Sequence, residues 1–115
     1  MCRWLFLALL VFLPTGCGQK EKVLGKAPED VPSTILAIRA GDAPGSVTLE
    51  GTMVEKCPQA GCWFRIKDGT GLIKVDTKNA GFVVTSVPLN TKVKVAGRLQ
   101  HLEDEVQIEA SGLSY

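Results

Sequence analysis

Five segments of the chain alternate apolar and polar residues with the period of two that is typical of half-buried β-strands. These segments are Val47–Glu55, Cys62–Lys67, Leu72–Thr77, Lys92–Leu99 and Val106–Ala110. Each is short, and turn-forming sequences such as Asp68–Gly71 separate them from their neighbours. The pattern therefore predicts an all-β domain of five strands.

The connections between these strands favour one architecture. Gly51 in the middle of the first strand predicts a bulge or strong coiling. A long crossover, Lys78–Leu89, follows the third strand. Both features are typical of an OB-fold, so residues 33–115 are predicted to form a small five-stranded OB-like barrel. A small open sheet and an SH3-like barrel are the alternatives.

A short helix is predicted immediately before the first strand. Thr34 can cap a helix over Ile35–Arg39, and Gly41 can end it. The apolar residues of this helix, which we expect to form a lid over one end of the core, are Ile35, Leu36 and Ile38.

The chain begins with the features of an export signal. Trp4–Leu13 is an apolar run of ten residues, too short to span a bilayer and suited to the core of a signal peptide. The following segment, Pro14–Gly18, resembles a bacterial lipobox, in which the cysteine is acylated. We therefore expect a lipoprotein signal peptide over residues 1–16 and a lipid on Cys17, with an ordinary secretory signal as the alternative.

The predicted export and lipid anchor affect the interpretation of the rest of the chain. Residues 17–32 are polar, contain two prolines and show no hydrophobic period, so they are predicted to be a flexible tether. The protein would be anchored in the bacterial cell envelope, on the periplasmic face of the outer membrane, with the membrane as its partner. That compartment is oxidising, so disulfides persist there. Without Arg3 the basic residues equal the 12 acidic ones, which is unlike the basic footprint of nucleic-acid proteins.

Two cysteines mark the tip of the first predicted hairpin. Cys57 and Cys62 flank a Pro-Gln-Ala-Gly turn, and paired strand ends bring Cα atoms to about 4.5–5.5 Å, within disulfide range. In an oxidising compartment a structural disulfide is the first interpretation. A soft thiolate pair for Cu(I) or Zn(II) is an alternative, although further ligands are not evident. Thiol–disulfide exchange is another, although such pairs usually have two intervening residues at a helix N-terminus.

OB-folds bind ligands on the face of their second and third strands. Here an aromatic side chain and three cations share that face: Trp63, Arg65, Lys67 and Lys74. An anionic glycan or an envelope protein suits this surface better than a nucleic acid, because only one aromatic is available for stacking. His101 is the only histidine, so no nucleophile–His–acid set can be assembled. We predict a non-catalytic protein without a cofactor.

Two parts of the sequence resemble a known group of proteins. Val47–Thr52, followed by Cys57–Trp63, is similar to small bacterial envelope proteins with one OB-fold domain of unknown function and a Cys-x-x-x-Gly-Cys-Trp signature. Gly81–Val84 resembles a later segment of that group, but the second aromatic is missing and the proline is delayed to Pro88. The resemblance covers about Val47–Gly112. It implies the fold and the envelope location, and no activity.

Overall fold

The computed structural model describes residues 21–115, which form one short helix and six strands. The elements are β1 (Val23–Gly25), α1 (Ile35–Arg39), β2 (Ser46–Lys56), β3 (Trp63–Asp68), β4 (Gly71–Asp76), β5 (Lys92–His101) and β6 (Val106–Ser114). Within this part of the chain no helix has the length and apolar character needed to cross a bilayer. The predicted signal peptide, residues 1–16, and the predicted lipidation site, Cys17, lie outside the described residues.

Five of the strands close into a barrel. β2 pairs antiparallel with both β3 and β5, and β3 pairs antiparallel with β4. β4 then runs parallel to β6, and β6 closes the barrel by pairing antiparallel with β5. This arrangement of five strands is that of an OB-fold, and it confirms the predicted all-β barrel with a short helix before its first strand.

Alternate residues of the strands fill the barrel, as their periodicity predicts. The largest fully buried side chains include Leu49, Met53, Phe64, Ile66 and Ile108. Fully burying an aliphatic or aromatic side chain of this size contributes about 1.5–3 kcal/mol. This core fixes which side of each strand faces solvent, and so determines the surface on which ligands can bind.

The helix forms where the capping signal predicts it. The Thr34 hydroxyl oxygen accepts a hydrogen bond from the Ala37 N–H at 3.0 Å. Ile35 and Ile38 are buried against the core, but Leu36 is 61% exposed. The predicted lid is therefore correct for the two isoleucines and wrong for Leu36, because residues three apart share one helix face and the residue between them does not.

The start of the described chain differs from the prediction. β1 pairs with the end of β6, and Lys22 and Tyr115 exchange two backbone hydrogen bonds at 2.8 and 2.9 Å. Lys26 N–H also donates to the Ser111 carbonyl at 3.0 Å. The interpretation of residues 17–32 as a flexible tether is therefore wrong for residues 22–26. A strand of three residues is too short to show a period of its own.

The predicted bulge is present in β2 but not at Gly51. The register with β3 shifts between Met53 and Glu55. Gly51 instead allows a close approach, since a Cβ there would lie 2.4 Å from the Lys67 carbonyl oxygen. Beyond the bulge, Lys56 lies opposite the core residue Phe64. The shift therefore turns a lysine toward the inner side of the barrel.

Candidate functional site

The backbone holds the two cysteines in place at the end of the β2–β3 hairpin. Cys57 N–H donates to the Trp63 carbonyl at 2.9 Å, and Thr77 N–H donates to the Cys62 carbonyl at 2.9 Å. Between the cysteines, Pro58–Ala60 form an exposed turn. The positions of both cysteines are thus set by strand pairing, while the turn remains open to solvent.

The structure brings the two predicted sulfurs into contact. Cys57 and Cys62 are free cysteines, both half-buried, and the Cys62 Sγ–H donates to Cys57 Sγ at 3.6 Å. A disulfide needs a sulfur separation of about 2.05 Å. The two sulfurs are therefore close but not bonded, and the disulfide stays a prediction.

Cys57 sits in a cradle of backbone donors. The N–H groups of Ala60, Cys62 and Gln59 donate to its sulfur and hold the pKa of Cys57 at about 6, well below its ordinary value. Hydrogen bonds to the charged form of an acid favour that form. Cys57 is therefore mostly a thiolate at neutral pH, even though desolvation opposes the charge.

Cys62 has the opposite character. Its hydrogen bond to Cys57 raises the pKa of Cys62, and desolvation and the negative charge of Cys57 raise it further. The surroundings of the pair therefore favour the thiolate at Cys57 and the protonated thiol at Cys62. Sequence reasoning missed this asymmetry, because the donors are backbone groups that converge only when the turn adopts this conformation.

Gly61 gives the turn its shape. Its φ is +61°, in the region that favours glycine, and a Cβ would lie 2.8 Å from the Thr85 nitrogen. The Gly61 carbonyl accepts hydrogen bonds from the Val84 N–H at 3.0 Å and the Thr77 hydroxyl at 3.2 Å. The glycine before the second cysteine thus docks the turn onto the loop between β4 and β5.

Lys56 holds the same loop from the other side. Its ammonium group donates to the carbonyls of Val84 at 3.4 Å, Thr85 at 3.2 Å and Val87. The bulge in β2 is what turns this lysine inward. No sequence signal identifies Lys56, because strict alternation from Met53 would place it outside.

The second predicted site, on β3 and β4, is also assembled. The two strands pair so that Arg65 lies opposite Lys74, with Trp63 and Lys67 two residues away on either side. Phe64 and Ile66, the intervening residues of β3, are fully buried. The four predicted residues therefore share one outward face, which we call the Trp63 face.

Cations surround the tryptophan on this face. The Arg65 guanidinium carbon and Lys74 Nζ each lie 5.2 Å from the centroid of the Trp63 ring. Cation–π contacts at exposed sites contribute about 0.5–1 kcal/mol. Arg65 also forms a 3.0 Å ion pair with Glu55. Within residues 21–115, Lys67 and Lys74 form no ion pair with a carboxylate, so their charges remain available.

A family model describing the bacterial OB-fold (BOF) proteins matches residues 23–114. The chain belongs to the bacterial OB-fold family. The match begins at β1, so it includes the strand that the sequence pattern did not reveal. The OB-fold implied by the resemblance is confirmed, while the envelope location and the cysteine signature remain predictions.

A solved structure of another bacterial protein has the same fold. The hypothetical protein YgiW from E. coli superimposes on this bacterial OB-fold protein with a TM-score of 0.57 at 21% sequence identity. The alignment covers 75% of this chain and 90% of the YgiW chain. At this identity the similarity shows the fold alone. No curated protein matches the chain.

The alternative of a metal centre receives no support from the described residues. Residues 21–115 contain no group of three or more His, Cys, Asp or Glu side chains arranged to hold a metal ion. Met53 and His101 carry donor atoms that a soft metal could accept, but Met53 is fully buried in the core and His101 is exposed at the end of β5. Among residues 21–115 of this bacterial OB-fold protein, the two thiols therefore have no third and fourth ligand of the kind that a zinc site uses.

Proposed function

We propose that this bacterial OB-fold protein is a lipid-anchored, non-catalytic binding module of the cell envelope, and that its ligand is an anionic glycan. The observation that carries the proposal is the Trp63 face, where Arg65 and Lys74 flank an aromatic ring and Lys67 lies beside them. An aromatic ring stacks on the apolar side of a sugar, and the cations pair with its carboxylate or phosphate groups.

The anchor and the disulfide complete the proposal. Cys17 carries the lipid and holds the domain at the periplasmic face of the outer membrane. Cys57 and Cys62 close the β2–β3 hairpin with a disulfide, supported by sulfurs 3.6 Å apart and by the oxidising compartment that the leader implies. Closing so short a loop constrains the unfolded chain by about 2 kcal/mol.

Calorimetric titration of the full chain in detergent with oligogalacturonate, using neutral malto-oligosaccharides of equal length as the control, tests the binding site. We expect the acidic sugar alone to bind. Trp63→Ala should abolish binding, and Lys74→Ala should weaken it about tenfold, because it removes one ion pair and one cation–π partner.

Arg98→Ala is the matched control, since Arg98 is an exposed cation of β5 outside the Trp63 face. If Trp63→Ala binds like the parent chain, or if Arg98→Ala weakens binding as much as Lys74→Ala, the Trp63 face is not the site. Binding of envelope proteins in place of the acidic sugar would replace the glycan with a protein ligand.

The location has its own test. Fractionation of bacteria that produce the chain should place it in the outer membrane, and Cys17→Ala should leave the leader uncleaved and remove the lipid from the intact mass. Recovery of the unaltered chain in the soluble periplasmic fraction would contradict the anchor without affecting the binding site.

A further inference from the structure

We infer that Cys57 and Cys62 form a thiol–disulfide exchange site, in which Cys57 attacks an accessible disulfide and Cys62 resolves the mixed disulfide. The inference rests on the proposed function only in requiring that these two cysteines can form a disulfide. It changes the role of that disulfide from a permanent staple to a bond that is made and broken.

The first support is that the two sulfurs are already in contact, at 3.6 Å. The Cys57 N–H donates to the Trp63 carbonyl and the Cys62 carbonyl accepts from the Thr77 N–H, and neither of these bonds depends on a sulfur. The backbone bonds that fix the two ends of the turn can therefore persist when the sulfurs are oxidised.

The second support is that the turn treats the two sulfurs differently. The backbone hydrogen bonds of Ala60, Cys62 and Gln59 lower the pKa of Cys57, and Cys62 directs its own S–H at the Cys57 sulfur at 3.6 Å. This turn thus supplies the donors that a helix N-terminus supplies in many exchange sites. It stabilises Cys57 as a thiolate both when it attacks and when it is expelled from the disulfide.

The third support is access. Pro58, Gln59 and Ala60 are exposed, and Cys57 lies directly before them at the end of β2. Cys57 itself is half-buried, so part of the residue remains in contact with solvent beside this exposed turn. We therefore expect an incoming disulfide to approach Cys57 from the solvent side of the turn.

The exchange balances in two steps. The Cys57 thiolate attacks one sulfur of the substrate disulfide, forming a mixed disulfide and expelling the other substrate sulfur as a thiolate. Cys62 then transfers its proton to that thiolate, attacks Cys57 Sγ and expels the second substrate sulfur, which takes a proton from water. The substrate disulfide is reduced by two electrons to two thiols, and the cysteine pair is oxidised. A protein dithiol restores the two thiols by the reverse steps.

The test measures each thiol separately. Cys62→Ser and Cys57→Ser are made in a full chain whose Cys2 and Cys17 are also serine, so that a single thiol remains in each. The chains are purified in detergent and reacted with the small aromatic disulfide 5,5′-dithiobis(2-nitrobenzoate) between pH 5 and pH 9.

In Cys62→Ser, Cys57 is the remaining thiol, and its reaction rate plotted against pH should reach half of its maximum near pH 6. In Cys57→Ser, Cys62 is the remaining thiol, and its reaction rate should fall about tenfold for each pH unit below pH 8, as for an ordinary thiol. At pH 6 we expect Cys57 to react about tenfold faster, since its larger thiolate fraction outweighs its lower intrinsic nucleophilicity. Matching pH profiles, or an ordinary midpoint for Cys57, would overturn the inference.

Two further measurements keep the outcomes distinct. Cys62→Ala is a second variant that shows whether the serine hydroxyl or misfolding of Cys62→Ser changes the result. Its Cys57 should react with the same low pH midpoint, because the backbone donors remain. The intact mass of the unaltered chain, purified without reductant, reports whether the pair is oxidised. A mass two hydrogens below that of the dithiol, together with an unreactive Cys57, would support the structural disulfide and contradict the exchange site. Two free thiols together with a reactive Cys57 would support the exchange site and contradict the structural disulfide.

Discussion

The β3–β4 turn and the β2–β3 turn both place backbone N–H groups around an acidic side chain, but the two side chains have different surroundings. At the β3–β4 turn, Asp68 Oδ1 accepts hydrogen bonds from the N–H groups of Thr70 at 2.7 Å and Gly71 at 3.0 Å. At the β2–β3 turn, backbone N–H groups converge on the Cys57 sulfur. Each turn therefore gathers backbone donors around an anionic side chain.

The two turns differ in what else the anion contacts. Asp68 Oδ2 accepts from the Ile35 N–H at 3.0 Å, and the Thr70 hydroxyl accepts from the Leu36 N–H at 3.0 Å. The turn thus caps the start of α1, and both carboxylate oxygens of Asp68 accept hydrogen bonds within the fold. Cys57 faces another thiol on an exposed turn. Backbone N–H groups around an anion thus stabilise the structure at Asp68, where the fold supplies the anion's other contacts, and at Cys57 we expect them to favour reaction with an accessible disulfide.

The largest effect is expected at Asp68. Asp68→Ala removes the acceptor for two turn donors and for the first N–H of α1, so the free energy of unfolding should fall by about 2–3 kcal/mol. Urea denaturation followed by circular dichroism measures it. Asp42→Ala, an exposed acid outside the turn, should change stability by less than about 0.5 kcal/mol. Equal losses in both variants would show that the cap contributes nothing specific.

Gly61→Ala tests the second turn in the same way. A positive φ and a Cβ only 2.8 Å from the Thr85 nitrogen should cost about 2 kcal/mol. The variant should also raise the pKa of Cys57, as measured by thiolate absorbance, because the donors move apart. Gly45→Ala is the control, since no heavy atom lies within 4 Å of a Cβ there. Stability within 0.5 kcal/mol of the parent for Gly61→Ala would contradict the packing of this turn.

Lys56→Met should have a smaller effect, about 1 kcal/mol, because the carbonyls of Val84, Thr85 and Val87 lose a charged donor but remain partly hydrated. The loop between β4 and β5 should exchange its amide hydrogens faster, with the β5–β6 pairs unchanged. Lys92→Met, at an exposed position of β5, should leave both stability and exchange unaltered. An identical exchange pattern in both variants would remove Lys56 from this role.

The smallest effects separate the two turns by pH. Burial alone would raise the pKa of Asp68, but its hydrogen bonds from Thr70, Ile35 and Gly71 outweigh burial and lower it. The stability that Asp68 contributes is therefore complete above its ordinary pKa and lost as the pH falls through the lower folded value. Urea midpoints should fall at acid pH less steeply in Asp68→Asn than in the parent.

For Cys57 the same sign applies at a higher pH. Its folded pKa of about 6 lies below the unfolded value, so the stability of the reduced chain should rise from pH 6 to about pH 8, while the raised pKa of Cys62 opposes the rise at higher pH. The oxidised chain has no thiol to titrate and should not show this rise. Urea midpoints of both forms at three pH values measure it, with Cys57→Ser as the reduced control. A rise in the oxidised chain would assign the effect to other groups.

Much of the barrel could be predicted because its strands have one buried side. Phe64 and Ile66 alternate with the residues of the Trp63 face, and a period of two fixes both faces at once. The helix could be predicted because Thr34 is a local signal. These features depend on residues close in sequence.

The remaining features depend on contacts that no local pattern contains. β1 is recognised only through its pairing with β6, where a Cβ on Gly112 would lie 1.6 Å from the Lys26 carbonyl oxygen. The shift of the bulge from Gly51 to the residues beyond Met53 depends on the neighbouring strand. The donors around Cys57 are backbone atoms, so their side chains give no indication of them.

The pairing of Lys22 with Tyr115 would also limit how far the barrel can move from the lipid that we propose on Cys17. An extended chain spans at most about 3.6 Å per residue, so a free linker from Cys17 to Ser33 would reach at most about 58 Å. Because Lys22 is already bound to the barrel, the free linker would end at Lys22 and would reach at most about 18 Å. An anchor at Cys17 would therefore hold Lys22, and with it the edge of the barrel formed by β1, within about 2 nm of the lipid surface.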